Sequence, residues 1–510
     1  MEIVEVVGVM KIRKLKLRGI PTALALLVSV MLVAPGSAML VGAQDEAKPN
    51  FQGITVTVAG PAGQVECIQN WTDTWEADTG GTVAINAIPF SDIDSKILAA
   101  TGTNTFLADV YYVGSQTAGQ LMAGDHVIPV PEDLQGRLGL EQIPDIYNKY
   151  QLRWNDTMYG VPWDGDMLMM NYRKDLLSDP TYQQEFKDQY GYDLAPPENW
   201  QQYADIAAFF TGKDWDNNGS PNYGLVELPM RRNHAWNGFL SRAAGYAKYP
   251  DDPAFFFDPD TMKPRINTPG FVKALEDWKT ALQWGPPDML SYDWAANAQS
   301  FVGGQAALNI QWADIGPMSI DPNTSVVAGN VGFGMIPGST EVWNPETKAW
   351  ETFDKANHAP FAGFGGWIFV VPKLSPNPDA AMDLATYLGS PEVRAQAVTT
   401  PGCGVNPNSE ELLDPAIWTA AGFSEEDAKA YTQAITDSLN DPNVVFDLRI
   451  PGIPDYKDAL EIAVTKALVG EESAQDALDE AAAEWDAITD RLGRDQQAKF
   501  YRESLGIAGE

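Results

Sequence analysis

Residues 160–177 read Gly-Val-Pro-Trp-Asp-Gly-Asp-Met-Leu-Met-Met-Asn-Tyr-Arg-Lys-Asp-Leu-Leu. A turn built on Gly160 and Pro162 carries Trp163, with Asp164 and Asp166 just behind it. The apolar run Met167–Tyr172 then reads as a strand, and Arg173-Lys174-Asp175 steps into a helix. Trp beside carboxylates suits a sugar, because an indole face covers the C–H face of the ring and carboxylates accept from its hydroxyls. The same residues also suit a buried strand with an amphipathic Trp at its edge.

Upstream of this stretch, apolar strands at 54–59, 83–88 and 108–113 alternate with helical spacing at 65–78, 91–100 and 116–123. That rhythm predicts a largely parallel sheet covered by helices. Ligands on such sheets sit at the carboxyl ends of strands, which here are the loops 60–64, 90–92 and 114–116. Downstream the rhythm restarts, with strands at 223–227, 306–311, 331–335 and 365–371. Helices are expected at 200–210, 232–244, 268–283 and 379–388, with a helical C-terminal region that includes 473–492.

The N-terminus reads as an export signal. Lys11, Arg13, Lys14, Lys16 and Arg18 precede the short apolar run 20–33, and small residues follow, so cleavage is expected after Ala43, with Ala38 as second choice. No cysteine lies near that point, so a lipid anchor through an N-terminal cysteine is not expected.

The whole chain holds 34 basic and 69 acidic residues. The leader takes five of the basic and two of the acidic residues, so the remainder is more acidic still. Such a charge repels nucleic acid and anionic lipid, and no nucleic-acid partner is expected. Cys67 and Cys403 are the only cysteines. Outside the cell they either form one disulfide or remain two small buried side chains, and the sequence does not decide between these. A mature chain of this length exceeds one ordinary core, so at least two lobes are expected.

Several separated segments together resemble one family. They are Ile54–Gly60 with Thr79-Gly80-Gly81-Thr82-Val83, Ala108-Asp109-Val110 with Ala123-Gly124-Asp125, Phe301-Val302-Gly303-Gly304-Gln305-Ala306-Ala307-Leu308 with Gln311-Trp312, Gly365-Gly366-Trp367 with Asn377-Pro378-Asp379, and Ala467-Leu468 with Asp476-Ala477-Leu478. In this order they resemble the extracellular solute-binding proteins of sugar importers, the family of the maltose-binding protein, over nearly all of residues 50–495. The resemblance implies an α/β fold of two lobes joined by a hinge, with an interlobe cleft that closes on the ligand. Lobe 1 is expected at 44–160 plus about 336–400, and lobe 2 at about 161–335 plus 401–510. Arg173 departs from the usual Asn or Asp, and the stretches 180–197 and 250–264 read as added loops.

The candidate ligand contacts are Trp312 and Trp367, whose matching family positions face the ligand, then Trp163, Asp164, Asp166, Trp236, Asn237, Gln64 and Ser115. The aromatic residues offer ring faces and the others offer hydrogen bonds; each also has an ordinary reading as core packing, capping or a solvated side chain. Asp214, Asp216, Asn218, Ser220 and Asn222 place oxygen at alternate positions around Gly219, which is either the first half of a calcium loop or an Asx-rich turn. Leu225 stands where the bidentate Glu of such a loop belongs, with Glu227 nearby; no cofactor is expected to be required, and a structural calcium ion is the one candidate. His126, His234 and His358 are scattered and read as structural, and no catalytic motif appears.

The expected protein is therefore a non-enzymatic, exported receptor for a neutral sugar or polyol, in the periplasm or outside the cell, delivering to the permease subunits of an ABC importer. The rival reading is a secreted glycoside hydrolase, since paired carboxylates are available in so acidic a chain.

Overall fold

A computed structural model describes residues 49–507. The expected export signal lies outside the described residues. Among the described residues no helix is long and apolar enough to cross a membrane.

Two sheets organise the chain. The first has five strands in the order Thr82–Ile88, Thr55–Pro61, Val110–Gly114, Trp367–Val370, Val161–Pro162. Its first three strands run parallel, and the last two are antiparallel to their neighbours. Buried Val56, Val58, Val110, Tyr112, Ile368 and Phe369 show why these runs pair: both faces are covered, as a helix-flanked sheet requires. The second sheet has the order Val331–Gly334, Leu168–Arg173, Ala306–Trp312, Tyr223–Val226. Every side chain of Ala306–Trp312 is buried.

The chain crosses between the sheets at residues 163–167. Asp164 and Trp367 exchange backbone hydrogen bonds at 3.0 and 3.2 Å, and Gly165 N donates to Asn406 O at 3.1 Å. Asn406 belongs to a third segment alongside, so the crossing is a bundle of backbones tied by hydrogen bonds. Gly366 is required here: its φ is 75°, and a Cβ would meet Gln151 Nε2 at 2.1 Å and Asp164 O at 2.3 Å.

Three sequence expectations change. Residues 180–197 are not a plain added loop, since Pro180–Tyr190 is a helix. Its cap was present in the sequence: Asp179 accepts from Thr181 N and Tyr182 N, Pro180 opens the helix, and Gly191 closes it at φ 83°. Residues 250–264 do form a loop, but an internal one. Phe255, Phe256 and Phe257 are buried, and their amides converge on Tyr501 Oη at 3.2–3.4 Å. The third change is the antiparallel hairpin Ser339–Asn344 with Ala349–Asn357. A lobe boundary near 336 groups it with the first sheet. It packs instead on the helix Ala235–Ala247, with Asn357 Nδ2 donating to Gly245 O at 3.1 Å and to Lys248 O at 3.0 Å.

At the C-terminal end the helices Ile453–Val469 and Ala474–Leu492 form a hairpin against Ala235–Ala247 and Pro269–Ala281. Trp236 is the keystone of that layer. It stacks on Phe256 (centroids 5.9 Å, planes 11° apart) and on Trp485 (6.1 Å, 29°). Aromatic pairs of this kind contribute about 0.5–1.5 kcal/mol each beyond buried area. Cys67 and Cys403 form a disulfide with Cα atoms 5.8 Å apart.

Candidate functional site

A cavity of about 210 Å³ lies between the two sheets. The first sheet's strands Thr55–Pro61 and Thr82–Ile88 lead into Gln64 and Phe90 on its wall, and Phe364 and Trp367 stand at the head of Trp367–Val370. From the second sheet, Tyr223–Val226 leads to His234, and Ala306–Trp312 ends in Trp312 with Asp314 two residues on. Asp293 and Trp294 enter from a helix start, and Asp166, Gly404 and Asn406 from the crossing segments. This is the carboxyl-end placement that α/β topology favours for ligands.

The walls are aromatic and acidic. Trp312 stacks on Phe364 with centroids 5.6 Å apart and planes 19° apart, while His234 meets Trp312 edge-on at 4.8 Å. Phe90 and Trp367 complete the cluster, 5.8 and 5.3 Å from Phe364. Phe364 itself sits at φ 60°, ψ −13°, in the left-handed region that non-glycine residues avoid. Such strain costs on the order of 1–3 kcal/mol and persists only where surroundings enforce it. Here Asp447 Oδ2 accepts from Phe364 N at 2.8 Å, and Ser115 Oγ donates to Gly365 O at 2.6 Å and Gly366 O at 3.1 Å.

Asn406 gathers the carboxylates. Its backbone N and Nδ2 donate to Asp164 Oδ1 at 2.7 and 3.0 Å, its Nδ2 reaches Asp166 Oδ1 at 3.4 Å, and its Oδ1 accepts from Asp314 N at 2.9 Å. Burial raises the pKa of Asp164, with the Asn406 donors opposing and Asp314 adding to the rise. Burial also pushes Asp166 well up, reinforced by Asp164 and Asp314. Asp314 is raised to about 7 by burial, against the pull of the Trp294 indole N–H at 2.8 Å. Asp447 is raised to about 6 by burial, although Leu448 N, Trp236 Nε1, Phe364 N and Lys457 all favour its anion. Burial holds His234 well below the usual imidazole range, and the Lys457 charge adds to this.

Six buried polar atoms on the wall residues have no hydrogen-bond partner within the protein: Gln64 Oε1, Asp166 Oδ2, Asn233 Oδ1, His234 Nδ1, Trp312 Nε1 and Asp314 Oδ1. An unsatisfied buried polar group costs about 1–3 kcal/mol. A bound molecule in the cavity could complete their hydrogen bonds.

The sequence candidates divide accordingly. Trp312, Trp367, Gln64 and Asp166 are on the wall. Asp164 is next to it, holding the crossing segments together. Trp163 is not on the wall: it is turned into the first sheet's core, 5.7 Å from Trp71 and 5.1 Å from Phe369. Trp236 also lies in a core, its Nε1 donating to Asp447 Oδ1 at 3.0 Å. Asn237 is buried against Gly363, where a Cβ would meet its Nδ2 at 2.7 Å. Ser115 pins the Gly365-Gly366 backbone and does not line the cavity. Phe364, Phe90, His234, Trp294, Asp314 and Asn406 were not among the candidates. Asp314 carried a signal, being a carboxylate two residues beyond a strand-end Trp; Phe364 carried a weaker one in its glycine-rich surroundings.

The loop 214–222 folds as a chain of Asx turns. Asp214 accepts from Asn218 N and Gly219 N at 3.0 Å each, and Asn218 Oδ1 accepts from Ser220 N at 2.8 Å. Asp216 takes Asn218 Nδ2 at 2.7 Å and Asn222 Nδ2 at 3.4 Å. Among the described residues no group of three or more His, Cys, Asp or Glu is placed to hold a metal ion.

Residues 70–425 match the model of the family described as bacterial extracellular solute-binding protein. Solved structures share the fold. An ABC transporter solute-binding protein of Agrobacterium radiobacter K84 in complex with ribitol aligns at TM-score 0.69 and 20% identity, covering 86% of this chain and 100% of that one. The maltose-bound MalE3 of T. maritima aligns at 0.64 and 17% identity, covering 85% and 100%. A protein of Agrobacterium vitis S4 with bound D-mannitol aligns at 0.64 and 19% identity, covering 86% and 99%. The two sheets, the crossing segments and the cavity between them are the two-lobed periplasmic-binding-protein architecture of those structures, and with the family match covering most of its length the chain belongs to the bacterial extracellular solute-binding proteins.

Proposed function

We propose that this protein captures a sugar or polyol of about monosaccharide size by closure of its two lobes and presents it to the permease subunits of an ABC importer. The observation that carries this reading is the set of six unpartnered polar atoms around an aromatic-walled cavity. Four of the six are oxygens: the amides of Gln64 and Asn233 accept, and the carboxyls of Asp166 and Asp314 accept when ionised, so a ligand rich in hydroxyls, which both donate and accept, suits the site. The aromatic faces suit the C–H faces of the same molecule. A cavity of about 210 Å³ is small beside the roughly 300–1,000 Å³ of sites for drug-sized ligands, which favours one ring or a short open chain over an oligosaccharide. The similar folds that hold ribitol and D-mannitol support the polyol range.

Lobe 1 is proposed to comprise 44–162 and about 360–400, and lobe 2 about 163–358 and 401–510, the hairpin 339–357 moving with the helix it packs on. The residues expected to form the leader imply export to the periplasm or the cell exterior. The receptor performs no chemistry on its ligand. Purified protein is to be mixed with monosaccharides, disaccharides and polyols, with binding read by thermal shift and the ligand recovered and analysed. Saturable stabilisation with unchanged ligand supports the reading, and turnover of any glycoside overturns it in favour of a hydrolase.

A further inference from the structure

Charge on the cavity wall is one-sided. Asp166, Asp293 and Asp314 line it, Asp164 stands directly behind, and among the described residues no Lys or Arg lines it. Asp166 and Asp314 are 5% and 2% exposed, and each keeps one oxygen, Oδ2 and Oδ1 respectively, without a partner in the protein. His234 adds no charge, because burial keeps it neutral. The cation that stands near is Lys457, whose Nζ lies 5.4 Å over the Phe364 ring and is not part of the wall. The phenols Tyr112, Tyr147 and Tyr431, which feel these acids, are neutral and compensate nothing. Asp447 behind Phe364 is a further acid, engaged by its own four donors.

A neutral polyol satisfies the accepting oxygens but leaves this charge uncompensated in a desolvated site. The carboxylates then take up protons, each ceasing to be a pure acceptor. A positive group resolves the hydrogen-bond shortage and the charge excess together. Charge-assisted hydrogen bonds to carboxylates are roughly twice as strong as neutral ones. Aromatic faces beside carboxylates are also what an ammonium group favours, through the ring quadrupole.

We propose that the preferred solute is a sugar or polyol bearing a protonated amino group, its ammonium bound by Asp166 and Asp314 beside the faces of Trp312 and Phe364. This deepens the proposed function and rests on it, replacing the neutral ligand expected from the sequence by a cationic one of the same size.

The test uses matched pairs on the mature protein by titration calorimetry: glucosamine against glucose, galactosamine against galactose, and 1-amino-1-deoxysorbitol against sorbitol. At pH 7 the amine of at least one pair is expected to bind about tenfold or more tighter than its hydroxyl counterpart. For the aminopolyol, whose nitrogen stays charged throughout, that advantage is expected to grow from pH 5 to pH 8 as the carboxylates ionise. Amine binding near pH 6 should also release protons, read from buffers of different ionisation enthalpy. Neutral members binding as tightly as their amines, or an advantage that ignores pH, overturns the cationic ligand and leaves the receptor reading standing. No binding by any member, and none by the wider sugar panel, overturns both.

Discussion

Trp312, at the end of a second-sheet strand, and Phe364, at the head of a first-sheet strand, stack with ring centroids 5.6 Å apart and planes 19° apart. This contact joins the two sheets within the wall of the cavity. It ties the two sheets together at the cavity, and under the proposed function it is an aromatic surface for the ligand. Trp312→Ala is therefore expected to weaken binding of the best ligand about tenfold to a hundredfold, with the circular dichroism of the folded protein retained. Titration calorimetry of the variant checks this; unchanged affinity would place the ligand elsewhere.

Asp447 acts on Phe364 through its backbone. It accepts from Phe364 N at 2.8 Å, Trp236 Nε1 at 3.0 Å and Gln116 Nε2 at 2.5 Å, joining the strained 364–366 turn to the C-terminal helical layer. Asp447→Ala removes the acceptor and leaves several buried donors orphaned, at about 1–3 kcal/mol each. A lower Tm and weaker ligand binding are expected together, whereas Asp447→Asn, which keeps an acceptor oxygen, is expected to recover part of both.

The disulfide has a functional address. Cys67 lies three residues beyond Gln64 and Cys403 directly precedes Gly404, and both neighbours line the cavity. Gly404 packs so closely that a Cβ would meet Gln64 Nε2 at 2.6 Å. Paired Cys67→Ser and Cys403→Ser substitution is expected to cost about 2–5 kcal/mol of stability, given the length of chain between them. Ligand affinity should fall as well, because the Gln64 and Gly404 walls lose their tie. Denaturant titration and calorimetry in parallel read the two effects.

Asp314 makes stability depend on pH with a defined sign. Its folded pKa of about 7 lies above its ordinary value of 3.8, so the stability it permits is full below pH 4 and is lost as pH rises through 7. His234 acts in the opposite direction: its depressed folded pKa gives stability present above its unfolded pKa and lost on acidification. The comparison of unliganded wild type with Asp314→Asn reads this acid together with its effect on Asp164 and Asp166. The variant should gain on the order of 2–4 kcal/mol at pH 8 and lose that advantage near pH 4. A constant difference across this range contradicts the buried carboxylate.

Calcium is expected to leave capture unchanged. The loop 214–222 leads into the amino end of Tyr223–Val226, whereas the cavity lies at the carboxyl ends of the strands. Dialysis against a chelator followed by calorimetry checks this, with altered ligand affinity as the contrary result.

The strands of both sheets were legible, except Val161–Pro162, which reads as a turn, because their apolar runs, such as Ala306–Trp312, are buried throughout and bounded by turn residues. Trp312, Trp367, Gln64 and Asp166 were legible for a related reason, since a strand end or a crossing turn places them on the rim. Trp163 carried the same local signal. Its side chain turns the other way because Asp164 pairs with Trp367 across the crossing, a contact more than two hundred residues distant that local pattern does not encode. Phe364 was hidden for the same reason: its left-handed backbone is enforced by Asp447, 83 residues on. The hairpin 339–357 was not foreseen, and it is held to the Ala235–Ala247 helix by Asn357.

Small-angle X-ray scattering with and without the best-binding solute tests lobe closure most directly. The radius of gyration should fall at saturating ligand for the wild type and fall less for Trp312→Ala. A radius that stays constant while calorimetry shows the site filled would contradict a receptor that works by closing its two halves.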